Sequence, residues 1–89
     1  MGWSYASAAG KMFDKMTAKC IESTGSQNTW TEKGGTKYFW EASRTEHVDG
    51  SITGTIYKFV DESHIVKSGS FKIDGDGEMI RGPKFLKEA

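Results

Sequence analysis

Only one cysteine, Cys20, and one proline, Pro83, occur in the 89 residues. A single thiol excludes an intramolecular disulfide, the device by which small secreted domains compensate for a thin core. Nowhere does the chain approach the ~20 consecutive apolar residues of a membrane span. The opening Met1-Gly2-Trp3-Ser4-Tyr5 carries neither the basic stretch nor the apolar segment of a signal peptide. Myristoylation at Gly2 would need Ser or Thr at position 6, where Ala6 stands. Charge of one sign is also missing: 12 basic and 12 acidic residues give a net charge of zero, with a pI near 6.7. Such balance removes any general pull toward nucleic acid or anionic lipid and argues against an acidic DNA mimic. The expectation is a cytoplasmic protein without membrane contact.

What is present suffices for one α+β domain, residues 1–89. A hydrophobic fraction of 36%, with three Trp, three Tyr and five Phe, fills one modest core and argues against disorder. A chain of this size buries roughly two thirds of its unfolded surface, which leaves a thin stability margin.

The spacing predicts a helix over residues 4–24, with Ser4 as N-cap and Gly25 as the residue that ends it. Tyr5, Ala9, Met12, Phe13, Met16 and Cys20 fall within an arc of roughly 100°, opposite Lys11, Asp14, Lys15 and Glu22. Gly10 costs about 1 kcal/mol against Ala in a helix and marks a close helix–sheet approach.

Beyond Ser26 the pattern turns to strands, over about residues 28–82. Asn28–Glu32 is a short strand with Lys33-Gly34-Gly35 as its turn. Thr36–His47 and Ser51–Val60 flank Asp49-Gly50, a strong hairpin signal. A two-residue turn there makes paired residue numbers sum to 99, setting Trp40 opposite Phe59, Ala42 opposite Tyr57 and Glu41 opposite Lys58. His64–Ile73 follows, then the turn Asp74-Gly75-Asp76-Gly77 and the strand Glu78–Arg81. Gly82-Pro83 ends the sheet, because proline cannot donate to a ladder, and 84–89 reads as a tail. The whole is an antiparallel meander of four or five strands with one helix packed on it.

One helix covers one face of a sheet. The two-residue turn puts Phe39, Ile52, Ile56 and Val60 on one face, expected to be the core. Tyr38, Trp40, Ala42, Tyr57 and Phe59, with Arg44 beside them, take the other. Glu41 and Lys58 on the first face, near Lys67, weigh against this choice, and a one-residue slip in the next strand reverses it.

No catalytic or metal-binding constellation stands out, and neither a cofactor nor a metal is expected. Asp74-Gly75-Asp76-Gly77-Glu78 resembles a calcium loop. When Gly77 is aligned with the loop's required glycine, however, Lys72 and Pro83 fall where carboxylates are needed. It reads as a hairpin turn. His47, His64, Asp49, Asp61, Glu62 and Ser63 sit at strand ends without a spacing that ties them together. Cys20 and the methionines of the apolar arc read as core filling. The feature of functional interest is the aromatic group Tyr38, Trp40, Tyr57 and Phe59 with Arg44, which reads either as core or a second layer covered by Trp3 and Trp30, or as an exposed binding face. These residue types are enriched at binding hot spots. A protein partner or a second copy of the chain is the expected ligand. The alternative is single-stranded nucleic acid, stacked on the same rings with Arg44, Lys37 and Lys58 on phosphates.

Met1-Gly2-Trp3-Ser4-Tyr5, Ser23-Thr24-Gly25-Ser26, Tyr38-Phe39-Trp40-Glu41-Ala42, the run from Asp49 to Thr55, and Gly69-Ser70-Phe71 together carry a likeness. The chain resembles short bacteriophage- and prophage-encoded proteins that begin with Met-Gly-Trp-Ser-Tyr, over most of its length. That resemblance implies a bacterial host cytoplasm, a mobile-element origin, no assigned chemistry and no transferable catalytic residue. Small phage proteins often act by binding a host protein, which is an association and not a mechanism.

Overall fold

The structure, a computed structural model, describes residues 7–89. Helix α1 spans Ala8–Thr24, and its N-cap is Ser7, whose hydroxyl accepts a hydrogen bond from the Gly10 N–H at 2.9 Å. The described helix thus begins after Ser7, and the cap expected at Ser4 lies outside the described residues, as do Trp3 and Tyr5. Its far end is as expected: Gly25 takes the left-handed conformation (φ 83°) and donates its N–H to the Ile21 carbonyl at 2.8 Å.

Five strands follow: β1 (Thr29–Thr31), β2 (Lys37–Ala42), β3 (Ile52–Asp61), β4 (His64–Ile73) and β5 (Met79–Arg81). They form an antiparallel sheet in chain order, curled as a half-barrel, so the expected α+β meander is the observed architecture. A second short helix, α2 (Lys84–Lys87), closes the chain.

The β2–β3 register differs from the expected one. Tyr38 pairs with Lys58, Trp40 with Ile56 and Ala42 with Gly54, so paired residue numbers sum to 96 and not 99. The connection is the segment 43–51 instead of a two-residue turn. Within it His47 accepts a bond from the Gly50 N–H at 3.0 Å, and Gly50 does hold a positive φ of 81°. Asp49 Oδ1 accepts the Ser51 N–H at 3.0 Å, and His47 Nε2 lies 3.1 Å from Thr53 Oγ1. These polar contacts stabilise a longer loop from which β3 leaves three residues out of the expected step. An odd shift exchanges the faces of one strand relative to the other. Tyr38 and Trp40 therefore share a face with Ile52 and Ile56, while Phe39 joins Tyr57 and Phe59 opposite.

The core lies between α1 and the first of these faces. Ala9, Met16 and Cys20 of the helix are buried with Trp30, Trp40, Ile56, Phe71, Ile73, Met79 and Leu86, and Met12 and Phe13 pack at the margin. The predicted apolar arc is therefore the packed one. Phe13 meets the Trp40 ring edge-on at 5.1 Å, and Phe71 meets it at 5.9 Å. Gly54 lies under Phe71: a Cβ there would stand 2.2 Å from the ring and 2.4 Å from the Glu41 carbonyl oxygen. Only a residue without Cβ lets the ring reach the backbone.

The expected C-terminal tail is instead part of the core. Leu86 is fully buried, and Phe85 stacks on Trp30 at 5.5 Å, with Tyr38 at 5.4 Å also parallel to the indole. Lys19 of α1 donates to the Phe85 carbonyl at 2.8 Å, and its ammonium lies 4.5 Å from the Phe85 ring centre. Four residues are too few to show a helical period, and Phe85-Leu86 is flanked by charges, so no sequence pattern marks it.

Two stability measurements check this packing. Leu86→Ala should cost about 2–5 kcal/mol in urea unfolding, the range for a buried Leu, whereas Lys87→Ala should stay within about 0.5 kcal/mol. Gly54→Ala should destabilise by about 1–3 kcal/mol or more through overpacking against Phe71; an unchanged midpoint would contradict the close approach.

Candidate binding face

Strand alternation and the observed register give the side of the sheet away from α1 a definite membership. It carries Thr29 and Thr31 from β1, and Lys37, Phe39 and Glu41 from β2. From β3 come Thr53, Thr55, Tyr57 and Phe59. Strand β4 adds Ile65, Lys67, Ser70 and Lys72, and β5 adds Arg81. Phe39 and Tyr57 stack at 4.8 Å with their planes 18° apart, Phe59 tilts against Phe39 at 5.5 Å, and the Lys37 ammonium lies 5.1 Å from the Phe59 ring centre. All three rings are half-buried. Phe59 sits directly opposite Ile65, which is 46% exposed, so the apolar ridge continues onto β4.

The five residues expected to form one binding face separate. Tyr57 and Phe59 are on the open side. Tyr38 and Trp40 are on the helix side, where Trp40 is only 7% exposed and Tyr38 stacks on Trp30. Burial of Trp40 under Phe13 removes it, and Tyr38 with it, from any partner contact on the open face. Arg44 lies exposed in the connection 43–51, beside a depression of about 720 Å³ that also borders Asn28 and Ala42, and is not part of the ring cluster. Of the alternative phosphate contacts, Lys37 is on the open face, while Lys58 pairs with Tyr38 on the other. Phe39 was assigned to the core by the expected register and is instead the centre of the open cluster. Its signal in the sequence is its strict alternation with Tyr38 and Trp40, which separates it from them whatever the register.

Beyond Lys58, β3 has no pairing with β2, and β5 pairs with β4 only at Lys72 and Ile73. The β3–β4 hairpin therefore projects past β5, while the β1–β2 turn at Gly34, Gly35 and Thr36 borders its tip. Residues 60–69 are all exposed, Val60 at 57%. A bulge at Ser68, between the pairs Ile56–Gly69 and Tyr57–Lys67, interrupts its outer edge.

Groups that could support catalysis are kept apart. His47 contacts Thr53 near the start of β3, and His64 pairs with Asp61 at its end, so the strand's rise separates them by roughly 25 Å. Asp49 has its carboxyl held below the usual range by the Ser51 N–H and hydroxyl, with Lys72 and His47 adding to the effect. Asp74 Oδ1 accepts the N–H groups of Asp76 and Glu78, closing the β4–β5 turn. Among the described residues no three His, Cys, Asp or Glu side chains are grouped to hold a metal ion. No described helix is long and apolar enough to cross a membrane. Comparison with protein-family models, with curated proteins and with solved structures yields no match.

Cys20 is buried, and burial pushes its thiol up, against smaller opposing effects from Trp40 and Lys19. The Trp40 Nε1–H beside it makes no aligned hydrogen bond. The unfolded thiol ionises near 9.0 and the folded one higher. The stabilising preference for the protonated form is thus complete below pH 9 and is lost as pH rises through the folded value. Urea midpoints should fall above pH 9 in the wild type and less so in Cys20→Ala. Identical slopes for the two proteins would refute the assignment.

Proposed function

We propose that the chain is a non-enzymatic binding module that contacts a protein through the open sheet face centred on Phe39, Tyr57 and Phe59. On the resemblance to phage-encoded proteins, this reading extends to an accessory role in a bacterial cytoplasm. The observation that carries the reading is the ridge itself: three aromatic rings and Ile65 stand on the face that no described helix covers. A small domain loses stability by leaving apolar surface in water, so such a ridge calls for an occupant.

Single-stranded nucleic acid has Lys37, Lys67, Lys72 and Arg81 of this face in its favour. Bases, however, stack on free ring faces. Here Phe39 is covered by Tyr57 and Phe59, and Phe59 by the Lys37 ammonium. These contacts take up ring surface that stacked bases need, whereas protein side chains pack against rings in any orientation.

Affinity capture from bacterial lysate tests the face. Tyr57→Glu should leave the chain folded, at a cost of about 1 kcal/mol for the lost ring pair, and should lose the captured protein. Ile21→Glu, at an exposed position of α1, should retain it. Equal capture by Tyr57→Glu and wild type would show that contact is made elsewhere.

A further inference from the structure

We propose, resting on the binding face described above, that its partner is an acidic polypeptide segment carrying apolar side chains between its carboxylates. The charge of the face carries this. Although the chain as a whole is neutral, the register gathers Lys37, Lys67, Lys72 and Arg81 on the open side with one carboxylate, Glu41, among the paired strand positions, while Asp61 and Glu62 border the depression beside Lys37 and Phe59 at the hairpin tip. The ion pairs among the described residues lie elsewhere, joining Glu88 to Lys19 and to Lys84. Lys72 feels Asp49 across the loop, and Asp61 at the hairpin tip is held by the Ser63 N–H.

The cations border the ridge on both sides. Lys37 lies over Phe59 from β2, and Lys67 is paired with Tyr57 from β4. A ligand that covers Phe39, Tyr57 and Phe59 must therefore meet positive charge on either flank, and carboxylates there are attracted while cations are repelled.

A second copy of the chain fits less well. A two-fold dimer apposes the face to itself, which would bring the four cations toward their own symmetry mates. Polypeptide is favoured over nucleic acid by the covered rings and also by the free outer edge of β4. From His64 to Ser70 no described strand lies beside it, so an extended segment can add main-chain hydrogen bonds on one side of the Ser68 bulge. A chain of nucleotides cannot form that ladder.

The probes are a random copolymer of glutamate and tyrosine, plain polyglutamate, and oligothymidylate, each titrated against the isotope-labelled chain, with sedimentation of the chain alone. The copolymer should bind most tightly, shift the resonances of Phe39, Tyr57, Phe59 and Ile65, and weaken with salt. Lys67→Glu, an exposed position, should lower its affinity roughly tenfold or more, with the melting temperature and the binding by Ile21→Glu unchanged. Tighter binding of oligothymidylate, a dimer whose formation shifts the same resonances, absence of copolymer binding, or indifference to Lys67→Glu would each overturn the proposal. If lysate capture still depends on Tyr57 in any of those cases, the face stands as a binding surface and its acidic preference falls.

Discussion

The register of β2 against β3 governs which side of the sheet each aromatic occupies, because successive side chains of a strand point to opposite faces. With Trp40 opposite Ile56, the two largest groups of β2 and β3 that can bury under α1 do so together. The same parity expels Phe39, Tyr57 and Phe59 to the side without a helix. Core and ridge are one decision. The polar contacts of the connection 43–51, His47 with Thr53 and Asp49 with Ser51, hold that decision in place, since they fix where β3 begins.

Around this register the remaining elements complete the helix-side layer. Trp30 of β1 is flanked by Tyr38 and by Phe85, and its indole Nε1 donates to Glu32 at 3.0 Å. A fully buried indole has thus both its faces and its polar atom occupied. Trp40, by contrast, makes T-shaped ring contacts with Phe13 and Phe71 but has an unsatisfied N–H beside Cys20. Its position owes more to shape than to hydrogen bonding.

Elements with a local signature were legible in the sequence. The apolar arc from Ala9 to Cys20 repeats over several turns, Gly25 supplies the helix stop, and His64–Ile73 is bounded by turn residues at both ends. What could not be read depends on contacts distant in sequence or on lengths too short for a period. Asp49-Gly50 has the same appearance in a two-residue turn and at the end of a longer loop, because Gly50 takes a positive φ in either. That ambiguity alone moved Trp40 from face to core and Phe39 from core to face. Tyr57 and Phe59 were recognised as open-face residues, while their neighbour on β2 and the lysine of β4 were not, since both follow from the register. Phe85 and Leu86 gave no signal because their partners, Trp30 and α1, lie at the far end of the chain.

That last separation bears on how the protein is made. The Phe85–Trp30 stack and the bond from Lys19 to the Phe85 carbonyl join segments far apart in sequence, 66 residues in the latter case. A nascent chain can wind α1 and pair its early strands, but Trp30 keeps one face in water until residues 85 and 86 have cleared the ribosome. A chain that lacks Phe85 and Leu86 has an uncovered indole and an open slot where Leu86 belongs. Such a chain exposes the kind of apolar surface that quality-control chaperones and proteases bind, so α2 also shields the core from them.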